Sequence, residues 1–180
     1  MNGLQRFAGH FMTITRHRHS VIAHCAKAGI LWQGLGHDLS KYSPTEFWAG
    51  VRYYSGTHSP TEDERREYGY SRAWMHHKGR NRHHWEYWTD YHMHLKCYMP
   101  VEMPRKYVAE MLCDRIAASK IYKGKAYHNG APLDYLENGH MRDHMHPMTL
   151  KTLEHFLTRL RDEGEAAMFA SLRRYVREKE

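Results

Sequence analysis

Apolar residues recur three or four positions apart along most of this chain, and that period constrains its fold more than any other feature. Leu4, Phe7, Phe11, Ile14, Val21, Ile22 and Cys25 keep one face of a first helix apolar, and Gly29 is placed to stop or kink it. Alternating β-branched runs are absent, and no Asn-Gly turn joins two such runs. A second helix is expected over about 31–41. The phrase "SPTE" occurs at Ser43 and again at Ser59, and each copy reads as a capping box with proline at the first helical position. They open a third helix, about 44–54, and a fourth, about 60–77. Asn81 is placed to cap a fifth, running to about Lys96. Pro104 opens a sixth that reaches Tyr122, with Tyr107, Val108, Met111, Leu112 and Ile116 as its buried stripe. A long irregular segment follows. Helices over about 149–160 and 165–176 close an all-α chain, the last of them highly charged and expected at the periphery.

At 180 residues one domain, 1–180, is the simplest division, and the length suffices for a proper core. Aromatic residues make up 13% of the chain, which argues against disorder. No apolar run approaches the ~20 residues needed to span a bilayer. The opening "MNGLQRFAGHF" lacks a secretory core, so a cytoplasmic protein is expected. Cys25, Cys97 and Cys113 are far apart and read as buried, inert thiols. A formal charge of +7 favours an anionic partner: a nucleotide, another phosphorylated metabolite or nucleic acid.

The composition is most unusual in its 17 histidines, and only placement can separate ligands from surface. His37-Asp38 ends a greasy segment, where such groups are costly to bury unless something pairs with them. If the first two helices fold back on each other near 27–29, His17 or His19 lies level with His37. The segment "HHKGRNRHH" brings His76 or His77 and His83 or His84 from a tight turn, and Asp114 interrupts the sixth helix one turn after Glu110. Imidazoles and carboxylates in this combination suit Mn, Fe, Co, Ni or Zn, as one ion or two. Lys41, beside His37-Asp38, and Arg80 and Arg82, in the histidine turn, are candidate phosphate contacts. Trp74, Trp85 and Trp88 read as core, with one available to stack on a base. His92, His94, His128, His140, His144 and His146 read as surface or loop residues.

The order H…HD…H…H…D resembles the HD-domain superfamily of helical metal-dependent phosphohydrolases, and "HDLSK" is similar to its "HDIGK" signature. "RHRHSV", "GHDLSKYSPTEF", "AWMHHKGRNRHHWEYW" and "MPRKYVAEMLCDRIAAS" resemble more closely a small family of phage and bacterial proteins without an assigned activity, over about 16–119. The resemblance implies an HD-like helical bundle whose metal-site core spans about 16–120, with peripheral helices at 147–178. It implies His17 as first ligand, Asp38 as bridging carboxylate and Asp114 as closing ligand. The gap from His17 to His37 is shorter than in most HD hydrolases and leaves His17, His19 and His24 as alternatives.

The expectation is therefore a metal-dependent phosphohydrolase acting on a nucleotide, cyclic nucleotide or related phosphate ester. His17, His37, Asp38, His77, His83, His84 and Asp114 hold one or two divalent ions, and Asp38, Lys41 and Arg80 act in the reaction. Two other classes fit the same pattern: a di-iron oxygenase of the superfamily, such as inositol oxygenase, and a non-catalytic phage protein that binds a nucleotide or nucleic acid. A phage-encoded chain would act in the host cytoplasm.

Overall fold

In the computed structural model, which describes residues 1–178, α1 (Gly3–Ala28) opens with a complete capping box. Asn2 Oδ1 accepts from the Gln5 backbone N–H, and Gln5 Oε1 accepts from the Asn2 backbone N–H. The helix ends at Gly29, whose φ of 83° is left-handed. Its buried face is not the purely apolar stripe expected. His10, Ile14, His17, Val21, His24, Cys25 and Ala28 are buried, whereas Leu4 is 78% exposed and Phe7 and Phe11 are also exposed. Three histidines at seven-residue intervals thus share the inward face with the aliphatic residues.

A short α2 (Leu31–Leu35) packs back on α1, and its Gly34 lies against Cys25. The second helix stops there, short of Lys41. Residues Leu39–Tyr42 form a separate 3-10 turn. Next come α3 (Pro44–Arg52) and α4 (Pro60–Tyr68), both with proline in the first turn. Neither is a capping box. Ser43 and Ser59 make no side-chain cap, and Glu46 turns inward to His76 and His77. The expected fourth helix is broken in two, because Gly69 adopts φ 78° and Ser71 starts α5 (Arg72–Lys78) by accepting from the Trp74 backbone N–H.

The fifth helix expected over 81–96 does not form. Asn81 closes α5 instead, donating to the His77 carbonyl at 2.8 Å. A 3-10 turn, Trp85–Tyr87, leads to a hairpin of β1 (Thr89–His92) and β2 (Cys97–Pro100), with Tyr91 opposite Tyr98. These tyrosine rings pack edge to face, the cross-strand pairing that stabilises such a ribbon. Cys97 is exposed there, contrary to the expectation of three buried thiols, whereas Cys25 and Cys113 are buried.

The central element is α6 (Arg105–Lys123), whose middle is buried nearly all round from Val108 to Cys113. After α7 (Ala131–Glu137), α8 (Pro147–Arg177) bends at Gly164, where φ 81° interrupts two helical halves. The second half is not peripheral: Met168, Phe169 and Leu172 join Leu153, Leu157 and Leu160 in the core packed on α1 and α6. The result is a mostly helical body of eight α-helices and one small hairpin among the described residues. No helix in that span is long and apolar enough to cross a membrane.

Candidate metal centre

The centre is built from the irregular turn after α2. His37 N–H donates to the Gly34 carbonyl at 3.1 Å, and Asp38 adopts φ 54°, ψ 23°. A non-glycine residue in the left-handed region carries a backbone cost, which persists only where its surroundings hold it. Arg18 on α1 supplies that hold, donating to the carbonyls of Leu35 at 2.5 Å and His37 at 3.2 Å. Both side chains of the turn are buried, Asp38 at 2% exposure and His37 at 1%.

Asp38 stands between two sets of donors. Its Oδ1 lies 3.2 Å from His77 Nε2 and 3.4 Å from His83 Nε2. Its Oδ2 lies 3.3 Å from His37 Nε2, 3.8 Å from His17 Nε2 and 2.6 Å from Lys41 Nζ. Asp114 on α6 faces the same space, with Oδ1 2.8 Å from His17 Nε2 and 3.7 Å from His37 Nε2. Three groups have ligand atoms mutually within 4.8 Å: His17, His37, Asp38 and Asp114; Asp38, His77, His83 and His84; and His37, His83 and Glu110. Such buried groups can hold metal ions.

The hydrogen bonding is polarised. The Nε2 atoms of His17, His37, His77, His83 and His84, and both oxygens of Asp38, are buried without a hydrogen-bond partner. Close as some of these atoms are, their angles do not make bonds, and buried polar groups in that state call for an explanation. The opposite nitrogens of His37, His77 and His83 are held by carboxylates. His37 Nδ1 donates to Glu110 Oε1 at 2.9 Å, and His83 Nδ1 lies 3.2 Å from the same oxygen. His77 Nδ1 donates to Glu46 Oε2 at 2.7 Å, and His76 Nδ1 to Glu46 Oε1 at 2.6 Å. Gln33 in turn donates to Glu110 Oε2 at 2.5 Å. A carboxylate on Nδ1 fixes a proton there and directs Nε2 inward, the arrangement that supports an imidazole as a metal ligand once its Nε2 is deprotonated.

Electrostatics keep the carboxylates ionised. Burial pushes Asp38 upward, but His37, Lys41 and His77 outweigh it and hold the group well below the ordinary range. Asp114 behaves likewise beneath His17, His37 and His83. Burial also opposes ionisation of Glu110, and the bonds from His37 and His83 win, drawing it down to about 2. Burial holds His17 and His84 neutral, with Lys41 adding to it at His17 and His83 at His84. Burial disfavours a proton on His37 too, but Asp38, Glu110 and Asp114 raise it to about 10.

Of the three alternatives on α1, the structure brings His17 into the cluster. His19 is exposed, and His24 stacks on Phe169 with Lys120 and the Cys113 carbonyl beside its ring nitrogens. His77 reaches Asp38, whereas His76 stops at Glu46. His83 and His84 both converge. Lys41 sits on Asp38. Arg80 and Arg82 do not join them: both are exposed, and they donate to the His76 carbonyl and the Tyr107 hydroxyl. Among the histidines set aside as surface, His92, His94, His128 and His144 are exposed and His146 is half-buried. The side chain of His140 lies outside the described residues.

Glu46 and Glu110 have supporting positions that the sequence reading missed. Glu110 had a signal, since it lies four residues before Asp114 on a helix otherwise buried there. Glu46 was hidden by its capping-box context.

Fold and site together define a helical protein with a buried His/Asp cluster able to hold metal ions. The chain belongs to DUF5662, a family of unknown function, which it matches over residues 6–159, a span containing every residue of the cluster. No curated protein and no solved structure matches it.

Proposed function

We propose that the chain is a metal-dependent phosphohydrolase of the HD type, with a dinuclear centre bridged by Asp38. One observation carries this reading: five imidazole Nε2 atoms and both oxygens of one aspartate are buried without a hydrogen-bond partner and gather in overlapping groups whose ligand atoms lie within 4.8 Å of one another. The donor set fits borderline divalent ions such as Mn, Fe, Co, Ni or Zn. His17, His37 and Asp114 would serve one ion, and His77, His83 and His84 the other. A pair of such ions supplies charge neutralisation at phosphorus and a more acidic water.

The chain's own residues supply the rest. Glu46 and Glu110 fix the imidazole tautomers and orientations. Lys41 is kept cationic, because Asp38 and Asp114 outweigh the burial that disfavours its charge, and it would contact a phosphoryl oxygen beside the ions. The substrate class is a phosphate ester, nucleotides and cyclic nucleotides among them, in keeping with the net positive charge. Arg80 carries no part of this reading.

The test is elemental analysis of the purified protein, then phosphate release from a panel of esters with Mn or Zn added. Wild type should bind metal and release phosphate, and Asp38→Ala should lose both. Full metal occupancy in Asp38→Ala would remove the bridging role. Bound iron with dioxygen uptake and no phosphate release would replace the hydrolase by an oxygenase. Tight nucleotide binding without turnover would leave a binding module.

A further inference from the structure

A slot of about 90 Å³ adjoins the centre, with Lys41, Glu46 and His77 in its lining. Its far walls come from α1, α3, α4 and α5. Lys41 is the only lysine or arginine on its lining among the described residues. The two carboxylates that reach it are already engaged: Glu46 with His76 and His77, and Glu64 with the Ser71 hydroxyl at 2.5 Å and the Ala73 N–H at 3.3 Å. Aromatic side chains (Trp74, Tyr54, Tyr122) share the lining with the hydroxyls of Thr13, paired with the Tyr54 hydroxyl at 2.9 Å, and Thr61, paired with the Ser59 hydroxyl at 2.9 Å. His10 adds no charge, because burial, reinforced by Lys41, lowers its imidazole to about 4.

Two glycines set inside helices shape this space. A Cβ at Gly50 on α3 would overlap the His10 ring, and one at Gly9 on α1 would overlap the Tyr54 ring. Glycine in mid-helix is unfavourable, so close approach of these rings is its structural return. The slot therefore has its one lysine at the end beside the His/Asp cluster, and a body of aromatic faces and hydroxyls in which the Glu64 carboxylate is already hydrogen-bonded to Ser71 and the Ala73 N–H. It is far smaller than the ~300–1,000 Å³ that encloses a whole drug-sized ligand.

We propose that this slot holds the uncharged, hydroxylated body of a small phosphate monoester, a sugar of pentose size or less, with its phosphoryl group at Lys41 and the centre. With the sugar inside, a slot of about 90 Å³ leaves no room for a nucleobase as well. This inference rests on the phosphohydrolase reading and narrows its substrate.

The experiment compares ribose 5-phosphate with a nucleoside 5′-monophosphate on the metal-loaded protein, and repeats both on Ala49→Leu, which projects a larger side chain from the lining. Binding is read independently from tryptophan emission, since Trp74 lines the slot, with inorganic phosphate as the control. Ribose 5-phosphate should be used at least as well as the nucleotide. Ala49→Leu should raise its KM by about tenfold or more with metal content unchanged. Thr61→Val, which removes one hydroxyl at little change in volume, should also raise KM and covers the case in which Ala49→Leu does not fold. A preference of tenfold or more for the nucleotide, or KM unchanged in the folded variants, would overturn the slot while leaving the hydrolase standing. If no ester releases phosphate, the hydrolase reading fails, and the emission titration decides the slot alone. A response to ribose 5-phosphate absent with inorganic phosphate, and lost in the variants, supports it. An equal response to both ligands overturns it.

Discussion

Replacing Glu110 with alanine strikes the one support shared by both halves of the centre. Its Oε1 accepts from His37 Nδ1 at 2.9 Å and stands 3.2 Å from His83 Nδ1, while Gln33 fixes the other oxygen. His37 belongs to the ligand group that includes His17 and Asp114, and His83 to the group that includes His77 and His84. Alanine leaves both rings without their orienting acceptor. Losing such a partner typically costs about 10–100-fold in metal affinity, or about 1.4–2.8 kcal/mol at each site. Both binding steps should therefore weaken. Glu46→Ala is the matched control, because its carboxylate holds His77, a member of one group, together with His76, a member of neither. Only one step should weaken there. The assay is titration of chelator-stripped protein with Zn or Mn against a competing indicator, near neutral pH, resolving the two steps. Two unaltered steps in Glu110→Ala, or two weakened steps in Glu46→Ala, would refute the shared-support argument.

Lys41→Ala should reduce kcat/KM for a phosphate ester by about 10–100-fold, the loss of one charge-assisted contact of ~1.5–3 kcal/mol, while retaining its metal; unchanged kinetics would return Lys41 to a purely structural partner of Asp38. A second expectation concerns acid. Burial, with Lys120 next in importance, lowers His24 to about 4 in the folded state, against ~6.5 when unfolded. Between those values the unfolded chain binds a proton that the folded chain refuses, so stability falls as pH drops, by up to ~1.4 kcal/mol per unit and ~3 kcal/mol in all. Denaturant titrations of wild type and His24→Gln from pH ~7 to ~4 should show the smaller acid loss in the variant; parallel curves would exclude His24 as a source.

The all-α class was legible because apolar residues recur at helical spacing along most of the chain, although α1 buries histidines in place of Leu4, Phe7 and Phe11 and the middle of α6 is buried nearly all round. The hairpin was not, because Trp85, Trp88 and Tyr91 recur every three residues and imitate a helix. Nothing local in the sequence announced that Asn81 would turn back to bond the His77 carbonyl. The inward residues of the centre were partly legible in the same way. His17 shares the buried face with Ile14, three residues before it, and Val21, four residues after it, whereas His19 falls off it. Read as a stripe including histidine, rather than a stripe of apolar residues alone, α1 would have chosen between them. The choice of His77 over His76 was not available, because it depends on which ring Glu46 leaves facing Asp38. That contact joins residues 31 positions apart on α3 and α5.

The centre draws its polar atoms from α1, the turn at Asp38, α5, the turn at His83 and α6, so no local piece of chain can assemble it. Each contribution is unfavourable alone: a left-handed aspartate, imidazoles without partners on one side, carboxylates taken out of water. A fold selected for stability alone would remove them one at a time, since replacing buried charges by apolar residues of similar size is often neutral or stabilising. Here they are collected instead, and further residues are committed to holding them. Arg18 fixes the turn, Gln33 fixes Glu110, and Glu110 and Glu46 fix the rings. Supporting contacts of this kind add little if the inward atoms have nothing to meet. They have a direct use if a cation arrives, because the ligands are then already ordered and its binding energy goes into stabilising the native arrangement.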